Sequence, residues 1–227
     1  LASGETPIEA PLKLAIVGRP NVGKSSLINA LAGNLRVLVS PVPGTTRDAV
    51  EVPFDLDTPE GLQDCNLIDN AGVRQRRQVD SSIEFYSAQR SEHAIQRCDL
   101  ALFLLDAEAG ILEQDKKIAD LIVEAHKGCI LVVNKWDLVA GQLAPPRGVS
   151  PSPRRPNRHG PAARPLTTLA EFGRWVQERL FFLDYAPVLF ASAVSGFNLD
   201  RLRHAIRVVA GQWRQKIPTA LLNRTLQ

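Results

Sequence analysis

The clearest chemistry in the chain is concentrated in the run Gly18-Arg19-Pro20-Asn21-Val22-Gly23-Lys24-Ser25. It fits G-x-x-x-x-G-K-[ST]. Glycines there let the backbone wrap closely, so that N–H groups point at phosphate oxygens. A helix that starts at the end of the run adds unsatisfied N–H groups and a positive dipole end. Lys24 is then the catalytic cation on the β- and γ-phosphates, and Ser25 a Mg2+ ligand. Ser26 is counted with the loop.

Asn134-Lys135-Trp136-Asp137 supplies a second chemistry. The Asp137 carboxylate can accept from the N1–H and exocyclic amine of guanine. Adenine presents an acceptor and no amine at those positions and would leave it unpaired. The Lys135 stem can cover the base face, and Asn134 can tie this run to the phosphate loop. Backbone N–H groups of Ser192 and Ala193 would complete a base pocket. The third set lies between the first two. Asp69-Asn70-Ala71-Gly72-Val73 places a carboxylate that can hold Mg2+ through water and a Gly72 N–H for a γ-phosphate. Upstream, Thr45 and Thr46 sit in Pro-Gly-Thr-Thr-Arg-Asp, and Thr46 is taken as the further Mg2+ ligand. Both loops would be ordered by a third phosphate and released after its loss.

These motifs need elements to position them. Leu12–Val17 has a buried-strand pattern, and Lys24–Ala32 reads as a helix. Residues 34–48 form a loop. Ala49–Asp55 and Cys65–Ile68 read as strands with a Pro/Glu/Gly turn between them. Ser81–Arg97 is helical, Leu100–Leu105 a buried strand, Glu113–His126 a helix and Gly128–Val133 another buried strand. Thr167–Phe182 is a helix and Val188–Ala191 a strand. In the last helix Leu199, Leu202, Ile206, Val209 and Trp213 recur on one face. Apolar strands alternating with amphipathic helices predict an α/β fold with a six-stranded, mostly parallel sheet covered on both faces. Every motif then falls just after a strand, at the end where such sheets bind ligands.

Composition narrows the class. At 227 residues and 44% hydrophobic, the chain has material for a core. Its longest unbroken apolar run, Leu100–Leu105, is far short of the ~20 residues of a spanning helix. The net charge of +3 hides a local imbalance: five arginines and no acidic residue lie between Leu138 and Ala170. Neither a membrane nor DNA is therefore an expected partner. Pro145–Pro165 is rich in proline and arginine and reads as a disordered or extended insertion at about 141–165. The three cysteines are widely spaced and predict buried, unpaired thiols. The absence of methionine suggests a piece of a longer protein.

In order, GRPNVGKS, GTTRD, DNAG, NKWD and SA are the motifs of translation-type GTPases. The chain resembles the second GTP-binding domain of the Der (EngA) family of ribosome-assembly GTPases. RPNVGKSSLINAL, EQDKKIADL, VVNKWDLV, FLDYAPV and IPTALLNRTLQ carry the likeness. The resemblance implies a Ras-like P-loop fold, slow GTP hydrolysis to GDP with Mg2+, and action on the large ribosomal subunit and its rRNA. It implies a bacterial cytoplasm or an organelle matrix. It also divides the chain into a linker (1–11), a G domain (12–217) and the start of a KH-like domain (218–227). The family usually has Thr at the Asn70 position. Val73 stands where Ras-type enzymes have a water-orienting glutamine. Related GTPases with Asn at the Asn21 position use a bound K+, which makes Asn21 a candidate K+ ligand, with a structural role in the loop as the alternative. The arginines of the last helix, Arg201, Arg203, Arg207 and Arg214, permit RNA or domain contact or form a solvated face. Two other readings of the whole are a nucleotide-gated binding module that hardly hydrolyses GTP, and a GTPase of tRNA modification or membrane transport.

Overall fold

The computed structural model describes residues 10–31, 51–68, 83–140 and 168–215. Expectations for the linker before Ala10, the loop at 34–48, the Asp69–Val73 run, the insertion and the segment after Gln215 fall outside them. The six strands are β1 (Leu12–Val17), β2 (Val52–Thr58), β3 (Gly61–Leu67), β4 (Leu100–Asp106), β5 (Gly128–Asn134) and β6 (Val188–Phe190). The helices are α1 (Lys24–Leu31), α2 (Ile83–Arg97), α3 (Glu113–Glu124), α4 (Trp136–Ala140), α5 (Leu169–Arg179) and α6 (Leu199–Trp213). They surround one sheet with the order β2-β3-β1-β4-β5-β6. Only β2 runs antiparallel to its neighbour.

The period of two along each strand sorts the core. Ala15, Val17, Ala101, Phe103, Leu105, Leu131 and Val133 face one side, under α2, α3 and α5. Leu12, Leu14, Leu100, Leu102, Leu104, Ile130 and Val132 face the other, under α1 and α6. All seven residues of β4 and of β5 are buried, which is why their sequences are continuously apolar. Cys65, Cys98 and Cys129 are free and buried, and burial pushes the Cys65 and Cys98 thiols up to about 12.

Four elements differ from the sequence reading. The hairpin β2–β3 extends to Thr58 and resumes at Gly61, so Leu56–Thr58 and Gly61–Asp64 are strand rather than turn. Its alternating buried and exposed residues mark a half-covered antiparallel edge, where polar side chains face water. Helix α3 stops at Glu124, because His126 adopts a left-handed φ of 52°. The stretch expected to be one helix to Phe182 is α5 followed by a 3-10 turn, Phe181–Leu183. The Thr168 hydroxyl caps α5 by accepting from the Glu171 N–H at 3.1 Å. In α6 the buried stripe is Leu199, Leu202, Ile206 and Ala210, while Trp213 is half exposed.

Phe103 sits at the centre of the sheet and is fully buried. Phe103→Ala is expected to cost about 3–5 kcal/mol, read as a lower urea midpoint with unchanged slope. Leu62 in the hairpin is 68% exposed, and Leu62→Ala should move stability by less than about 0.5 kcal/mol.

Candidate functional site

The carboxyl ends of β1, β4, β5 and β6 gather the site. The phosphate-type loop leaves β1 at Gly18 and enters α1 at Lys24. Gly18 has φ +149°, and a Cβ there would lie 2.6 Å from the Leu104 carbonyl oxygen. Gly23 has φ +96°, and a Cβ there would collide with the Asn134 side-chain amide. Both positions therefore need glycine for conformation and for space. Asn21 adopts a left-handed φ of 63° and is exposed, as are Ser25 and Ser26. Val22 is buried beneath the loop. Lys24 Nζ donates to the carbonyls of Gly18 (2.8 Å) and Arg19 (2.6 Å). Burial, and secondarily the Arg19 charge, lowers the Lys24 pKa to about 8.

The second run is tied straight to the first. Asn134, 2% exposed, donates from Nδ2 to the Val22 carbonyl at 2.9 Å. Its Oδ1 accepts from the Ala193 N–H at 3.1 Å. One side chain thus holds three loops together, and it brings Lys24 and Asp137 to the same edge of the sheet. Asp137 is exposed at the start of α4. Lys135 donates to Asp106 Oδ2 at 2.6 Å, and Asp106 Oδ1 accepts from the Glu108 and Ala109 N–H groups. Burial alone would raise the Asp106 pKa, but Lys135 and the two N–H donors outweigh it and hold the carboxyl below its ordinary value.

Two of the expected site segments make contacts inside the protein. The Trp136 indole does not face the site. It is 3% exposed and packs edge-on against Phe172 (centroids 5.4 Å) and Phe190 (4.6 Å). Its large apolar ring is better buried than wet, so Trp136 anchors the base run from beneath. The N–H groups of Ser192 and Ala193 are also committed. Ser192 donates to the Phe197 carbonyl at 3.1 Å and Ala193 to Asn134. Ser192 is fully buried, its hydroxyl accepting from Ser195 N–H. A buried turn satisfies its own polar groups first. Thr46, Asp69, Asn70, Ala71, Gly72 and Val73 lie outside the described residues.

Two acids went unremarked in the sequence. Asp106 ends the apolar strand β4 at the same edge as the motifs, and that position was the available signal. Asp115, fully buried, meets Arg19 in an ion pair at 2.7 Å. The basic face of α6 is partly committed within the domain. Arg203 donates to the Ala30 carbonyl and to Asp200, and Arg207 to Thr58 Oγ1 and the Gly61 carbonyl.

A glycine-bounded loop entering a helix at Lys24, with the Asn134–Asp137 run tied to it through one asparagine, places the domain in the nucleotide-binding α/β P-loop GTPase class. The profile of the family described as 50S ribosome-binding GTPase matches residues 13–135, and the chain belongs to that GTP-binding and GTP-hydrolysing family. It is 44% identical to GTPase Der of Desulforudis audaxviator over 226 residues, covering all of this chain and 45% of that one. With GTPase Der of Heliobacterium modesticaldum it shares 40% identity over 224 residues, 99% of this chain and 45% of the other. The chain therefore spans somewhat under half the length of these relatives. Among solved structures, Aquifex aeolicus Era bound to GDP and aluminium fluoride matches with a TM-score of 0.53 and 25% identity, over 91% of this chain and 58% of that one. The G domain of the T. maritima FeoB iron transporter matches with a TM-score of 0.51 and 25% identity, over 91% and 100%. The fold is thus the Ras-like P-loop GTPase fold. No helix among the described residues is long and apolar enough to cross a membrane.

A phosphate group arriving beside Lys24 should raise its pKa again. Above pH about 8, binding must then take up a proton, and nucleotide triphosphate affinity should fall by at most about tenfold per pH unit. Calorimetry in two buffers of different ionisation enthalpy reads that proton; zero uptake at about pH 9 would refute the assignment.

Proposed function

We propose that this chain is the second G domain of a tandem-G-domain GTPase acting on the large ribosomal subunit, and that its site takes GTP and Mg2+. The observation that supports the nucleotide reading is the Asn134 amide on the Val22 carbonyl, because it ties the phosphate loop directly to the Asn134–Asp137 run. The ribosomal part follows the family and the relatives' identity. It is a proposal for the whole protein, acting through rRNA contacts that include chain beyond this segment. A bacterial cytoplasm or organelle matrix is the matching compartment.

In this reading water attacks the γ-phosphate in line. Lys24 leaves the Gly18 and Arg19 carbonyls for the β- and γ-oxygens, and the loop N–H groups from Gly18 to Ser25 hold the developing charge. Asp137 reads guanine, with the Lys135 stem beside the base. The metal's ligands would be Ser25, Thr46 and Asp69; Ser25 is exposed in the first turn of α1, as such a role requires. When bound, Mg2+ supplies charge neutralisation between the phosphates. Gly72 would offer its N–H to the γ-phosphate, and Asn70 and Ala71 are assigned to the nucleotide with it. Asn21 is assigned to K+ in place of an arginine finger. With Val73 unable to orient water, turnover by the domain alone is expected on the order of 10⁻⁴ to 10⁻² per second.

Three measurements test the assignments. Asp137→Asn should weaken guanine nucleotides and favour xanthosine nucleotides, since the amide presents donors to the base; equal loss of both in a binding titration contradicts the role. Lys24→Ala should weaken triphosphate binding and abolish single-turnover hydrolysis. Replacing K+ by Na+ should slow hydrolysis, and fast turnover in Na+ alone would remove K+ from the mechanism.

A further inference from the structure

The Arg19–Asp115 pair is the one buried ionic contact on the phosphate loop, among the described residues, that the proposed function does not use. Asp115 lies in the first turn of α3, far along the chain from the loop. Its side chain is 0% exposed and that of Arg19 is 10% exposed. Asp115 Oδ2 accepts from Arg19 Nε at 2.7 Å and from the Leu112 N–H at 2.8 Å. Arg19 Nη2 reaches the Gly110 carbonyl at 3.1 Å. Ile118 and Ala119, three and four residues on along the same helix face, are buried in the core. Asp115 Oδ1 is buried too and has no hydrogen-bond partner among the described residues.

Stability does not account for this arrangement. Burying a carboxylate costs several kcal/mol, and a well-packed apolar pair is often as stable. What the pair provides is direction. A planar guanidinium held by a carboxylate on one edge and a carbonyl on another has little freedom left. The peptide of Arg19 is fixed with it, and the Arg19 carbonyl is one of the two seats of Lys24 Nζ, at 2.6 Å.

We infer that Asp115 is a positioning residue for the phosphate loop: it clamps the Arg19 guanidinium and so holds the loop backbone, including the Arg19 carbonyl from which Lys24 swings to the phosphates. This rests on the proposed nucleotide site and adds a residue from a distant helix to it. Capping of α3 through Leu112 is the competing role. Asp115→Asn separates the two, because the amide oxygen can still accept from Leu112 while the charge for Arg19 is gone. Arg19→Gln removes the other half of the clamp.

The test uses the 227-residue chain, single-turnover GTP hydrolysis, and binding of GDP and a non-hydrolysable GTP analogue. Asp115→Asn and Arg19→Gln are each expected to slow hydrolysis at least about tenfold. Both should reduce the preference for the GTP analogue over GDP, since Lys24 serves the outer phosphates. The double variant should be no slower than the slower single one. Unchanged rate and preference in the folded single variants overturn the inference, as do losses that add in the double variant. If Asp115→Asn fails to fold, Arg19→Gln alone decides: the same loss supports the clamp and a normal rate refutes it. Lys24→Ala is run alongside. Should it hydrolyse normally, the nucleotide site itself is wrong; should it alone be impaired, only the clamp is.

Discussion

The carboxamide of Asn134 is the contact on which the geometry of the site depends. It lies in a nearly water-free position, donates to the Val22 carbonyl and accepts from the Ala193 N–H. In such surroundings an unmade hydrogen bond costs about 1–3 kcal/mol, so the three loops it joins are held in one relation. Gly23 adds a steric condition, because no side chain fits between that backbone and the Asn134 amide. Gly23 thus serves the inter-loop joint.

Around that joint, buried groups hold the base run from two sides. Trp136 goes down into the aromatic cluster with Phe172 and Phe190, while Lys135 goes across to Asp106. The register between β4 and β5 makes the second contact natural, since Asp106 and Asn134 are paired residues at the strand ends. With its neighbours so committed, Asp137 is left at the surface of the same short segment. Local rigidity is what the proposed base-reading role of Asp137 needs, because discrimination requires that the carboxylate cannot swing to another partner.

The sheet supplies the common frame. In β1, β4 and β5 odd-numbered residues pack under one helical layer and even-numbered ones under the other. The parallel pairing of β1, β4, β5 and β6 then puts all their carboxyl ends on one edge. The described motifs that follow β1, β5 and β6 lie along that edge for this reason, and Asn134 then joins them. The arginines of α6 follow a related logic at the other margin, where Arg203 and Arg207 fasten the end of α1 and the β2–β3 hairpin to the helix.

The sequence by itself determined the α/β alternation, the span of β1, the places of β4 and α6, and the family, because strand and helix periods and the G-x-x-x-x-G-K-S spacing are written in near neighbours. It stopped short wherever a group's partner lies far away in the chain. Nothing local says that the Trp136 ring turns inward, that the Ser192 and Ala193 N–H groups are spent inside the protein, or that DLDT pairs with GLQD as a long hairpin. Asp115 looked like an ordinary acid in the first turn of a helix until the fold brought Arg19 to it. Only tertiary structure decides such directions, since burial forces each polar group to find whichever partner the packing places within reach.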